Sequence, residues 1–307
     1  MSEATPERQT KEEQHVALYS GEALTIAESR QITCARETSL VVVAGSPGSG
    51  KTTLIASLFH CFQRGPFAGF MFAGSDTCIG LDRRCFLGRT ISRGIEPNME
   101  RTKVGTEQRL IHFRVRSEDL TEEARDVLIT DISGEEYEDI RHSMDECRKF
   151  ALFQRADHIV ILVDGARIAD SGQKHAAKVE VEQFLGFLHD AGHFDRNCNV
   201  HVLVGKCDLL ADEAAKRFSD LLKDEIVGRF QGKVAILSVG DIAARPRRET
   251  SEFRLGHGLS SPFASWLERP QRQIDLTSSV SDANCHSEFD RLLLRQGAEV
   301  DGGRECP

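Results

Sequence analysis

One run of residues makes the strongest chemical statement in the chain. Gly45-Ser46-Pro47-Gly48-Ser49-Gly50-Lys51-Thr52 fits the spacing G-x-x-x-x-G-K-[ST]. Small residues at this density let successive backbone N–H groups curl around a phosphate. Lys51 brings a fixed positive charge for the β- and γ-phosphates of a nucleotide. The Thr52 hydroxyl is of the type that ligates Mg²⁺, and Thr53 completes the run into the following helix. The N-terminus of that helix adds its own partial positive charge behind the loop. The chemistry indicated is nucleotide phosphate binding.

A Mg²⁺ shell at such a loop needs a second acid at the end of a neighbouring apolar strand. Asp131 closes Val127-Leu128-Ile129-Thr130 and meets that need; Asp164, which also ends an apolar strand, is its competitor. The spacing D-x-x-G in Asp131-Ile132-Ser133-Gly134 favours Asp131, because it lets the Gly134 N–H reach a γ-phosphate and report its presence to the next helix. Glu135 follows, where a Gln would orient an attacking water. Its carboxylate can accept a hydrogen bond from water, but it also places negative charge near the phosphate, so hydrolysis should be slow. A Thr ahead of the strand Arg109–Val115 should complete the Mg²⁺ shell; Thr102 fits best, with Thr77 and Thr90 as rivals. The arginines Arg83, Arg84, Arg89, Arg93 and Arg101 cluster in this part of the chain, and none is assignable as a catalytic finger.

The second recognition element is Gly205-Lys206-Cys207-Asp208. A carboxylate at Asp208 can accept from both N1–H and the 2-amino group of guanine, a donor pair adenine lacks. The Lys206 stem can lie along the base plane. The residue before such a Lys is commonly Asn or Thr, whose side chain ties this loop to the phosphate loop; here it is Gly205, which can form no side-chain bond. After the last strand, Ala243, with Ser238 behind it, is the expected final base contact. These residues imply GTP or GDP with Mg²⁺ as the ligands.

Positioning these groups requires alternating strands and helices. Ser39–Gly45 is a continuous β-branched run, as in a strand buried on both faces. An amphipathic helix over Lys51–Gln63 ends at Gly65-Pro66. Strands are expected over 67–73, 109–115 (alternating, open to solvent on one side), 126–131, 158–163, 200–205 and 234–242. Helices are expected over 79–91, 135–155, 173–191, 211–230 and 261–267. Alternation of this kind predicts parallel crossovers, hence an α/β fold: a three-layer, doubly wound, mostly parallel sheet with an insertion after the first helix.

The domain division that follows is a disordered acidic N-terminus (1–15), a docking segment (16–38), a nucleotide-binding domain (39–270) with an insertion at 67–98 near the first switch, and a polar acidic tail (271–307). In that tail Phe289, Leu292, Leu293 and Leu294 could dock a partner. Residues 252–258 are expected to form a mobile loop. Forty-eight acids against 39 bases give a net charge of −9, which argues against nucleic-acid backbones as partners. No apolar run approaches the ~18 residues of a membrane span, and no secretory h-region is visible, so a cytoplasmic location is expected. The 9 cysteines form no C-x-x-C pair at zinc spacing and read as reduced thiols. Cys78 and Cys85 are expected to be buried, and His142 and Cys147 to lie at the surface.

GSPGSGKT, DISG and GKCD, in this strand order, resemble the TRAFAC class of P-loop GTPases with a Ras-like core. LYSGEALT (Leu18–Thr25), FQRGPFAGFMFAGSDT (Phe62–Thr77), DISGEE and ADHIVILVDGARIAD (Ala156–Asp170) narrow the resemblance to the second double-GTPase family of bacterial conflict systems, over residues 16–268. The resemblance implies a nucleotide-dependent switch, encoded beside another GTPase and serving in conflict or defence, with that GTPase or an effector as protein partner. Two other readings stay open at this point: a nucleotide-bound scaffold with negligible turnover, and a P-loop ATPase.

Overall fold

Val41, Val42, Val43 and Ala44 are completely buried, as a continuous apolar run requires of a strand covered on both faces. They lie in the middle of the fold. The computed structural model describes residues 21–92, 108–120, 123–194 and 198–268. Its strands are β1 (Leu24–Thr25), β2 (Thr38–Ala44), β3 (Phe70–Gly74), β4 (Arg109–Ser117), β5 (Arg125–Asp131), β6 (His158–Asp164), β7 (Asn199–Gly205) and β8 (Ile236–Asp241). They form one 8-stranded sheet in the order β1-β4-β5-β2-β6-β7-β8, with β3 also paired to the outer edge of β4. The run β5-β2-β6-β7-β8 is parallel, and β4 is antiparallel to β5.

The helices are α1 (Ile26–Ala35), α2 (Lys51–Arg64), α3 (Cys78–Ser92), α4 (Gly134–His142), α5 (Met144–Lys149), α6 (Ala151–Arg155), α7 (Gly165–Ala169), α8 (Lys174–Asp190), α9 (Glu213–Phe230) and α10 (Ser260–Trp266). The two-residue period of β2 sorts them into layers. Val41 and Val43 pack with Leu54, Ile55 and Leu58 of α2, Leu81 of α3 and Phe263 of α10. Val42 and Ala44 pack with Tyr137 of α4, Phe153 of α6, Phe184 and Leu185 of α8 and Ile226 of α9. The result is the doubly wound three-layer α/β sheet that the alternation implied. Among the described residues, no helix is long and apolar enough to cross a membrane.

Five local expectations are corrected. Strand β4 is not open to solvent: Leu110, Ile111, His112 and Phe113 are all buried. Leu24 and Ile32 cover Leu110, and β1 and β3 cover the strand's edge. His112 is polar but fully partnered: Nδ1 accepts from the Asp76 N–H (3.0 Å) and Nε2 lies 2.8 Å from Asp126 Oδ1. The stretch 135–155 is three helices rather than one. Ser143 leaves helical geometry at φ −138°, ψ 116° and caps α5 by accepting from Glu146 N, and Phe150 makes the second break at ψ 93°. Cys147 is buried rather than exposed, and its carbonyl accepts from His193 Nε2 (2.8 Å); Cys78 is exposed while Cys85 is buried. The stretch 252–258 is held at Gly256 and His257 to the chain just after β8, through Gly256 N–H to Ala244 O and Ala243 N–H to His257 O, each 3.0 Å.

Candidate nucleotide-binding site

Strand β2 delivers the loop Gly45–Gly50 to the N-terminus of α2, and glycine is required there for two different reasons. Gly48 (φ 79°) and Gly50 (φ 103°) occupy the left-handed region. At Gly45 a Cβ would stand 2.5 Å from the Leu162 carbonyl oxygen, so β6 can approach only if position 45 has no side chain. Lys51 is buried, and its ammonium donates to Gly45 O (2.7 Å) and Ser46 O (3.2 Å), folding back along the loop. Ser49 Oγ is buried with no hydrogen-bond partner among the described residues. A glycine-rich loop at a helix N-terminus, with a buried lysine and an unpartnered hydroxyl, is chemistry that fits a phosphate group. Thr52 and Thr53 follow in the first turn of α2, both half-buried.

Strand β5 ends at Asp131, in register with Val43 of β2, so its backbone stands beside the strand that carries the loop. The Ser133 hydroxyl caps α4 by accepting from Glu136 N (3.0 Å). Gly134 then lies directly on the phosphate loop: a Cβ there would stand 2.7 Å from Pro47 Cα. The side chains of Asp131 and Glu135 lie outside the described part of the structure, as does all of Thr102. The Thr102 rival Thr77 is fully buried, and its Oγ1 accepts from the His112 N–H (3.0 Å), so its hydroxyl is spent inside the sheet edge. The side chain of Thr90 is outside the described part. Gln108, the residue just before β4, donates from Nε2 to Glu136 Oε1 (3.2 Å), linking the end of the Thr102 segment to α4.

Strand β7 ends at Gly205, and Lys206 turns the chain at φ 53°. The Cys207 N–H donates to Ile242 O (3.1 Å), which fixes this turn to the end of β8. Asp208 Oδ2 accepts from the Arg247 N–H (2.8 Å); a carboxylate has about four lone-pair sites, so most of its capacity remains. A cavity of about 240 Å³ joins the two loops. Ser49, Gly50, Thr53 and Leu54 wall it on the phosphate side, Leu162 and Ala166 below, and Gly205, Lys206, Asp208, Ile242, Ala244, Arg245 and Arg247 on the far side. Gly205 brings this turn close to the phosphate loop, since a Cβ there would stand 3.3 Å from Ser49 O. Cys207 stays a thiol: burial first, then the charges of Asp241 and Asp208, push it up to about 12.

The expectation for Ala243 is corrected. Its side chain is buried in the core and its N–H is committed to His257 O, so it does not line the cavity. Ala244, one residue on, does. Ser238 is also removed from the base site, because its hydroxyl donates to His201 Nδ1 (2.6 Å) inside the sheet. Asp164, the alternative acid, caps α7 by accepting from Ala166 N (3.0 Å) and pairs with Lys206, at 3.0 and 3.1 Å from its two oxygens. Sequence reasoning missed this pair, though Asp164 and Gly205 end adjacent strands.

A glycine-rich loop after the central strand of a doubly wound sheet, flanked by D-x-x-G and G-K-x-D turns on neighbouring strands, defines a P-loop domain of Ras-like arrangement. The family model Double-GTPase 2 matches residues 39–267, and the chain belongs to that family. No curated protein matches the sequence. Distant likenesses exist among solved structures. The bacterial selenocysteine-specific elongation factor EF-Sec is 16% identical, with 68% of this chain and 26% of that one covered and a TM-score of 0.34. Elongation factor SelB from Methanococcus maripaludis, in complex with GppNHp, is 15% identical over 75% of this chain and 34% of that one (TM-score 0.36). The GTPase-like domain of S. cerevisiae Ski7, bound to GTP, is 11% identical over 80% and 53% (TM-score 0.44). The chain thus spans between about a quarter and about half of these three proteins.

Proposed function

We propose that the chain binds GTP with Mg²⁺, hydrolyses it slowly and acts as a nucleotide-dependent switch toward a protein partner. The observation that carries the reading is the single cavity walled by Ser49 and Gly50 of the phosphate loop on one side and by Lys206 and Asp208 on the other. In this reading the loop amides and Lys51 neutralise the phosphates, and Lys51 exchanges the carbonyls of Gly45 and Ser46 for phosphate oxygens. Thr52, Asp131 and Thr102 would hold Mg²⁺, which neutralises charge between the β- and γ-phosphates when bound. The position of Gly134 against Pro47 suits its N–H to γ-phosphate sensing. Asp208 accepts from the N1–H and 2-amino donors of guanine. Water would attack the γ-phosphorus in line as the bond to the bridging oxygen breaks, leaving GDP and inorganic phosphate, with Glu135 orienting the water weakly.

Membership in a GTPase family supports nucleotide binding and turnover in general. A cytoplasmic switch working beside a second GTPase in a conflict system is the setting we propose. Glu135 in place of Gln and Gly205 ahead of Lys206 are the observations that favour a non-hydrolysing scaffold instead.

Competition of GTP against ATP for the purified chain tests the base assignment. GTP should win, and Asp208→Asn should lose that preference; equal competition in the unsubstituted chain overturns the guanine reading. Single-turnover hydrolysis of bound GTP separates enzyme from scaffold, and Glu135→Gln should change its rate. No hydrolysis even with a co-purifying partner would reject the enzyme.

A further inference from the structure

The loop that reads the base lacks the side-chain tie usually supplied by the residue before the lysine, since that residue is Gly205. The fold supplies a different one from the neighbouring strand. Asp164 and Gly205 are register partners at the ends of β6 and β7. Gly165 lets the two turns touch: a Cβ there would stand 2.2 Å from Gly205 O and 3.0 Å from Lys206 O. From this junction Asp164 faces Lys206, its oxygens at 3.0 and 3.1 Å from the ammonium. The Asp164 side chain is only 9% exposed, so the pair is partly shielded from solvent, unlike the surface pairs that contribute little. Lys206 starts from a left-handed backbone, and its long side chain has several rotamers to lose. A bidentate carboxylate selects one placement of the ammonium before any ligand arrives.

We propose that Asp164 is a positioning residue of the base site: its carboxylate holds the Lys206 side chain along the cavity wall, so that the stem is in place to receive the face of the purine. The proposal rests on reading this cavity as a guanine-nucleotide site. It gives the acid at the end of β6 a role in base binding and none at the metal.

The test is a thermodynamic cycle on the full chain, read by calorimetric titration with GDP and by thermal unfolding. Asp164→Asn keeps an N-cap acceptor for Ala166 and removes the charge. It should weaken GDP binding by up to about tenfold, the cost of ordering one long side chain on binding rather than beforehand, and lower the unfolding midpoint by a few degrees at most. In a Lys206→Met background the same substitution should cost nothing further. If Asp164→Asn does not fold, Asp164→Ser, which also retains a capping oxygen, replaces it. Undiminished GDP affinity in Asp164→Asn overturns the proposal, and so does an equal loss in the Lys206→Met background, because the effect would then run through the helix cap. Absence of GDP binding in the unsubstituted chain overturns the guanine reading, and the proposal with it; binding there combined with indifference to Asp164 overturns the proposal alone.

Discussion

Gly165→Ala sets two effects of opposite sign against each other. Gly165 opens α7 with φ outside the left-handed region, so alanine meets no backbone strain there. Helix propensity alone predicts a gain of about 1 kcal/mol. Against this stands the new Cβ, 2.2 Å from the Gly205 carbonyl oxygen and 3.0 Å from that of Lys206. Relief requires roughly 1 Å of movement to reach ordinary contact distance. Both opposing atoms are backbone, at the end of a strand hydrogen-bonded on each side by β6 and β8, so no side chain can yield instead. Overpacking of this kind costs about 1–3 kcal/mol and sometimes more, and here the upper end applies. The net loss is about 2 kcal/mol, or a fall of about 4–8 °C in Tm for a domain of this size. Lys206 is displaced in the process, so GDP affinity should fall with stability. Gly186→Ala, in the middle of α8 with nothing within 4 Å of the added carbon, is the control and should raise Tm by a few degrees. Differential scanning calorimetry with GDP titration reads both variants. If Gly165→Ala matches Gly186→Ala in raising Tm, the contact does not exist and the packing of the β6 and β7 ends is wrong.

Lys51→Ala should remove detectable GTP and GDP binding in calorimetry, because no other described cation lies on the phosphate loop; retained micromolar affinity would refute its assignment. Gly134→Ala puts a Cβ 2.7 Å from Pro47 Cα, so stopped-flow nucleotide exchange should differ clearly from the unsubstituted rate, and an identical rate would place the D-x-x-G turn elsewhere. The histidines buried between β6, β7 and β8 give a pH dependence. Burial holds His158 down at about 4 and, together with the neighbouring His158, holds His201 at about 3, against an ordinary 6.5. Both are neutral in the fold, and the unfolded chain binds their protons first. Their share of stability is therefore intact above pH 6.5 and is lost as pH falls toward 4, by up to about 1.4 kcal/mol per pH unit for each ring. Chemical denaturation at pH 7, 6 and 5 should show that decline, and His201→Gln should flatten it; an unchanged slope would mean that His201 takes up its proton in the fold as readily as in the unfolded chain.

What could be read from the sequence was what the backbone itself must do. The glycines of the phosphate loop are demanded by local conformation or by a close approach, and β-branched runs declare strands buried on both faces, so β2, β6, β7 and the loop after β2 were legible from residue type alone. The misreadings share the opposite cause, a partner remote in sequence. His112 makes β4 look half-exposed because Asp126, Asp76 and Thr77, which satisfy it, lie on other elements. Ala243 and Ala244 are indistinguishable by type, and only the bond from Ala243 N–H to His257 O decides which one borders the cavity. Asp131 and Asp164 pose the same problem more sharply, since each is a carboxylate closing an apolar strand. Topology separates them. Asp131 is in register with Val43, two residues before the phosphate loop. Asp164 lies three residues beyond Ile161, the partner of Ala44, where β6 has left β2 behind and its remaining neighbour is Gly205. The D-x-x-G spacing already marks Asp131 in the sequence, whereas the lysine that Asp164 meets follows the end of another strand, 42 residues on, and that pairing exists only once the sheet has been ordered.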